Sequence, residues 1–333
     1  MISFSLSFVF LSCAGSLNRA TVRRVIPALM ENHDLDLACR FGNTVVGGVS
    51  ATTHPKPADK ALILAYAAAG ICAERQGREE TLNTQLAMTN LGSLGGSRTA
   101  QATDARLDSQ RTYTTAASRY YRAWQHTERV YGLDCKGLSK RDEGLFLVGL
   151  ITGDLALITD TASGSSVGVP HNIILDVARG AECLDDEMWW GVPSALQAAA
   201  WVSIPGTAPE GVDPWAQLEA AAQIGDRAGV RVARALQVFS AANTGDHQLV
   251  KESIVAHADA MQTPANPDWI LLDQYAYELS LFESDRVWIS SVGHRTPDFG
   301  EFPGQPEQLD DPFGIDNPFN DESFPPAIQE NSP

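Results

Sequence analysis

The side chains able to do chemistry are few in type and widely spaced. The cysteines are Cys13, Cys39, Cys72, Cys135 and Cys183. No pair has Cys-x-x-Cys spacing, and none lies with a histidine at zinc-ligand spacing, which disfavours a metal site or a dithiol redox motif. An even number remains after Cys13, as two disulfides in an exported chain require; four buried thiols are the other reading. Of the seven histidines, His247 and His257 share a predicted helix but are too far apart to hold one metal from one face. The sequence contains no His-Glu-x-x-His, no Gly-x-Ser-x-Gly, no phosphate loop and no dinucleotide fingerprint. The acidic runs Asp142-Glu143 and Asp185-Asp186-Glu187 precede predicted helices and read as charge compensation at their N-termini. These spacings predict a protein that is not an enzyme, with no cofactor and no metal. An enzyme reading would need a site assembled from distant helices, for instance around His126 or His171.

The richer signal is aromatic. Tyr66, Tyr120, Trp124, Trp190, Trp201 and Tyr275 fall on predicted helices. Such residues are usually core. In a helical protein with many alanines and glycines they could also wall a central pore or cleft, and they are the candidate ligand-binding residues for an apolar molecule.

The elements that must position them are helices. Apolar residues recur at three and four along almost the whole chain, as in Leu62, Ala65, Tyr66, Ala69 and Ala73, or Tyr113, Ala116, Ala117, Tyr120 and Trp124. Period-two alternation is scarce, so the expected class is all-α. Punctuation predicts helices over 34–50, 57–77, 105–131, 139–160, 170–183, 185–204, from Asp213-Pro214, on both sides of the turn at 243–246, and over 267–283. Pro55-Lys56-Pro57 and the glycine- and serine-rich 91–97 mark breaks. Such a string of helices joined by short loops predicts stacked antiparallel hairpins, a tetratricopeptide-like bundle without the strict repeat. In this hairpin geometry Cys39 faces Cys72, and Cys135 and Cys183 could close a second, longer loop.

The chain of 333 residues carries a net charge of −17, which argues against nucleic acid. Arg227, Arg231 and Arg234 read as a solvated helix face. No stretch reaches about 18 uninterrupted apolar residues, so no membrane span is expected. The best candidate, GLFLVGLITGD at 144–154, reads as a buried core helix whose Gly149 and Gly153 admit a close neighbour. From residue 296 the composition turns to Pro, Asp and Glu and predicts a disordered acidic tail, spaced with Phe299, Phe302, Phe313, Phe319 and Phe324.

Residues 1–13 are apolar and end in Phe10-Leu11-Ser12-Cys13, similar to a bacterial lipobox whose cysteine is acylated. The expected organisation is therefore a signal and anchor over 1–13, one helical domain over 14–295 and the tail over 296–333.

Over residues 13–293 the chain resembles the T-component proteins of bacterial TRAP transporters. The resemblance is carried by Cys13, by ENHDLDLA at 31–38, ALILAYAAA at 61–69 and ASRYYRAW at 117–124, and by Trp190 with Trp201. It implies a periplasmic lipoprotein with a tetratricopeptide-like fold and a central pore, paired with a periplasmic substrate-binding protein. The acidic tail and the four downstream cysteines depart from that family. A related expectation is a partner in lipid or sterol trafficking. Ala14 after the cysteine resembles lipoproteins sent to the outer membrane, so the membrane would be met only through the anchor. The expected function is thus an accessory transport component that binds a partner and a hydrophobic ligand. An interaction scaffold with a solid core is the alternative.

Overall fold

The three-and-four spacing is realised as α-helix. The structure is a computed structural model that describes residues 15–52, 58–89 and 97–303, among which there is no strand. The α-helices are α1 (Ile26–Met30), α2 (Leu35–Thr52), α3 (Asp59–Thr89), α4 (Ser97–Tyr131), α5 (Glu143–Ala162), α6 (Ile173–Ala181), α7 (Val192–Ser203), α8 (Pro214–Ala228), α9 (Val232–Thr244), α10 (His247–Ala260) and α11 (Ile270–Val292). Cys13, the breaks at 53–57 and 90–96, and the tail with Phe313, Phe319 and Phe324 lie outside the described residues.

The helix boundaries follow local chemistry. Asp34 accepts the backbone N–H of Leu37. Asp213 and Asp246 each cap a helix by accepting two backbone N–H groups. α8, α9 and α11 close on Gly229, Gly245 and Gly293 in the left-handed conformation, where a side chain would strain the backbone.

The helix expected from Asp185 starts later. Trp190 and Gly191 both have positive φ, 54° and 73°, and this breaks the backbone before Pro193 opens α7. Trp190 is thus not on the helix that carries Trp201. Asp186 instead accepts the backbone N–H and hydroxyl of Ser194 and ties the turn to α7. α3 runs to Thr89 and not to residue 77, so Cys72 sits inside the helix.

Consecutive helices pack on one another, and α11 returns to lie against α3 as well as α9 and α10. α5 runs through the interior. It is long and apolar enough to cross a membrane by composition, yet 72 % of its apolar window is buried inside the protein. A Cβ at Gly149 would collide with Thr127, and one at Gly153 would lie 2.6 Å from the Trp124 ring. These two glycines let α4 and α5 approach closely, as their spacing predicts. Each large apolar side chain that α5 buries contributes about 1.5–3 kcal/mol.

Two disulfides staple this frame. Cys39–Cys72 joins α2 to α3, and Cys135–Cys183 joins the segment after α4 to the segment after α6, with Cα separations of 5.1 and 5.2 Å.

Two readings change. Arg231 and Arg234 are buried ion-pair partners and not a solvated face. Arg231 meets Asp273 at 2.6 Å, and Arg234 meets Glu219 and Asp226 at 2.6 and 2.7 Å. The carboxylates come from α11 (Asp273) and α8 (Glu219 and Asp226), which a one-helix reading does not see. The packed unit also extends beyond residue 295, to Phe302. Phe299 lies edge-on to His257 and Tyr277, and Phe302 is buried with Val250, Ile254 and Val287. Composition averaged over an acidic tail hides two phenylalanines that fill slots on α10 and α11.

Candidate functional site

α5 carries the residue around which a site forms. Its sequence is apolar except for a few threonines and acids. Among the acids, Asp154 and Asp160 are buried. A buried carboxyl is tolerated when hydrogen bonds replace its water. Asp160 meets this condition. It accepts from the Val167 and Val169 backbone N–H groups, each at 2.8 Å, and from the Ser163 hydroxyl at 3.0 Å. Asp154 is 5 % exposed and has no hydrogen-bond or ion-pair partner among the described residues. Burial alone pushes its carboxyl up to about 7.

Asp154 lies where two hollows meet. The first is an apolar cavity of about 60 Å³ enclosed by α3, α4, α5, α9 and α11. Ala67, Val148, Ala235, Phe239 and Leu279 represent its walls. Its volume is several times the ~10–15 Å³ that one water needs, and walls of this kind favour apolar groups. The second is a groove of about 520 Å³ between α5, α6, α7 and α9, with His171, Ser203 and Asn243 along it. Asp154, Ile158, Leu236 and Phe239 border both hollows. Neither lining contains a lysine or an arginine.

The other polar groups on the cavity wall are already engaged. The Thr152 hydroxyl donates to the Gly149 carbonyl at 2.7 Å. The Tyr120 and Tyr275 hydroxyls both donate to Glu74 Oε2, at 2.6 and 2.5 Å. Burial, followed by the Glu74 charge, holds both phenols well above their usual range. The phenols are therefore neutral donors that anchor α4 and α11 to α3. Gly70 lies under the Tyr120 ring, where a Cβ would clash.

Of the residues chosen from sequence, the structure brings Tyr120 and Tyr275 together at the cavity. The others lie elsewhere. Trp124 packs in the main core beside Gly153. Trp190 lies edge-on to Trp189 and tilted against Trp269, at ring separations of 5.4 and 4.7 Å. Trp201 packs against Ala195 and Leu218, and Tyr66 joins a separate cluster with Val49 and Leu62. The rest of the cavity lining was missed, Asp154 and the α9 pair Leu236 and Phe239 among it. For Asp154 a signal was present, since one acid stands inside GLFLVGLITGDLALIT. Taken as the end of an apolar run, it marks a boundary; in a helix that continues to Ala162 it is interior.

The histidines set apart for an enzyme reading are also placed. His126 Nδ1 lies 2.6 Å from Asp59, which also accepts from Arg129 at 2.7 Å. The His126 ring lies against Tyr66, and its burial outweighs Asp59 and lowers its pKa. This pair ties the start of α3 to α4. His171 is exposed beside the groove. Among the described residues, no three His, Cys, Asp or Glu side chains gather as a metal site would require.

No protein-family profile, no curated protein and no solved structure matches this chain.

Proposed function

We propose that the protein is a non-catalytic, extracytoplasmic binding protein for a small, largely apolar molecule. The observation that carries this reading is the apolar cavity between α3, α4, α5, α9 and α11, which shares Asp154, Ile158, Leu236 and Phe239 with a larger groove. A molecule with an apolar body would seat that body in the cavity and the remainder in the groove. The alternative, a docking scaffold with a solid core, gives this space no role.

The two disulfides fit a compartment outside the cytoplasm. The finer location proposed is the periplasm, with a lipid on Cys13 as the sole attachment to the outer membrane. The role proposed is that of an accessory component in solute, lipid or sterol transport. Its partner would be a periplasmic substrate-binding protein or another transport component. This part rests on the resemblance to the T-components and on the lipobox-like start.

The test is binding of the neutral fluorophore Nile red to the oxidised protein, compared with the Ala235→Phe and Ala276→Phe variants. Both alanines line the cavity, and a phenyl ring would occupy it. Saturable binding is expected for the parent protein and at least tenfold weaker binding for the variants. Circular dichroism checks that they fold, since overpacking costs about 1–3 kcal/mol. A parent that does not bind, or folded variants that bind equally well, would overturn the reading.

A further inference from the structure

We infer that the ligand is a monocationic amphiphile, an apolar body ending in a protonated amine, with its ammonium on Asp154. This inference rests on the proposed ligand-binding reading and adds the chemistry of the ligand's polar end. The cavity walls accept only apolar groups, because their other polar atoms are already bonded within the protein: Thr152 to Gly149, and Tyr120 and Tyr275 to Glu74. Asp154 alone is left over. It is buried, without a hydrogen-bond or ion-pair partner among the described residues, and borders both the cavity and the groove.

A carboxylate in that position requires a donor and a compensating charge. No lysine or arginine on either lining supplies them, and the one side chain there able to carry a positive charge, His171, lies exposed beside the groove. A ligand ammonium supplies both at once. An alcohol supplies a donor without the charge, and a carboxylate supplies repulsion. Burial already holds the Asp154 proton more tightly than usual. An arriving cation reverses this, so binding would leave the carboxyl ionised and release a proton near neutral pH. The net charge of −17 favours the approach of cations over anions.

The experiment compares n-octylamine, 1-octanol and octanoate as competitors for Nile red on the full chain at pH 8. Apolar length is then constant and only the head group varies. Octylamine is expected to bind at least tenfold more tightly than octanol, with octanoate weakest. In Asp154→Asn the difference between amine and alcohol should vanish while octanol still binds. Octanol binding as well as octylamine, or an amine preference that survives in Asp154→Asn, would overturn the inference and leave the cavity reading standing. Nile red bound but displaced by none of the three would overturn it as well. A protein that does not bind Nile red would take down the proposed function first.

Discussion

Asp154 and Asp160 stand on one helix, both buried, yet only Asp160 has donors around it. Asp160 closes the segment that follows α5 by gathering two backbone N–H groups and a hydroxyl. Asp154 borders an apolar cavity and a groove and has no hydrogen-bond or ion-pair partner among the described residues. The first arrangement stabilises the fold; the second costs stability, and the proposed ligand would offset that cost.

Replacing Asp154 should therefore stabilise the ligand-free protein. Its carboxyl is pushed from 3.8 to about 7, so between these values the native state binds more protons than the unfolded chain. Stability then falls as pH rises through that window. Asp154→Asn removes this slope. Above pH 8 it should gain on the order of 2 kcal/mol, roughly half of what the shift represents at 1.36 kcal/mol per unit, because the amide is also unpaired. Urea unfolding of both proteins at pH 5 and pH 8 measures it, with the gain expected at pH 8 only.

His257 works in the opposite sense. Burial, with Arg231 and Arg234 adding to it, pushes its imidazole down to about 3 from 6.5. Its Nδ1 lies 2.8 Å from the Ser280 hydroxyl. Between pH 6.5 and about 3 the unfolded chain binds the extra proton, so this contribution is present above pH 6.5 and is lost as pH falls. His257→Gln should flatten the acid limb of a plot of Tm against pH in that window. An unchanged limb would show that this histidine titrates normally.

The disulfides should dominate the response to reductant. Closing loops with sequence separations of 33 and 48 residues removes unfolded-chain entropy worth about 4 kcal/mol each. Denaturant unfolding with and without reductant should show a large fall in stability. The intact mass of the untreated protein should lie four hydrogens below that of the reduced protein.

The segment around Phe302 should act as part of the core. Phe302→Ala empties a buried slot beside Val250, Ile254 and Val287 and should cost about 3 kcal/mol. A chain ending at residue 295 should be destabilised by at least as much relative to one ending at 303. Equal stability of the 295 and 303 truncations would assign the segment no structural part.

The helical class, most helix starts and the Cys39–Cys72 pairing are legible from the residues themselves, because capping, proline placement and apolar spacing act within one helix or one hairpin. Asp34 and Asp213 cap where their side chains predict, and Gly149 and Gly153 open the α4 contact where their spacing predicts. The tertiary structure alone decided the rest. Whether a tyrosine or tryptophan lines a cavity or fills a core depends on which helices fail to meet, and this separated Tyr120 and Tyr275 from Trp124, Trp190, Trp201 and Tyr66. Whether an arginine is solvated or buried depends on carboxylates outside its own helix, as Asp273 and Glu219 show for Arg231 and Arg234. Asp154 is visible in sequence as an acid in an apolar run, but its lack of a partner is a property of five helices packed around it. Local rules act over a few residues of chain, whereas burial and pairing are set by residues more than two hundred positions apart, as in the Glu74–Tyr275 hydrogen bond with its separation of 201.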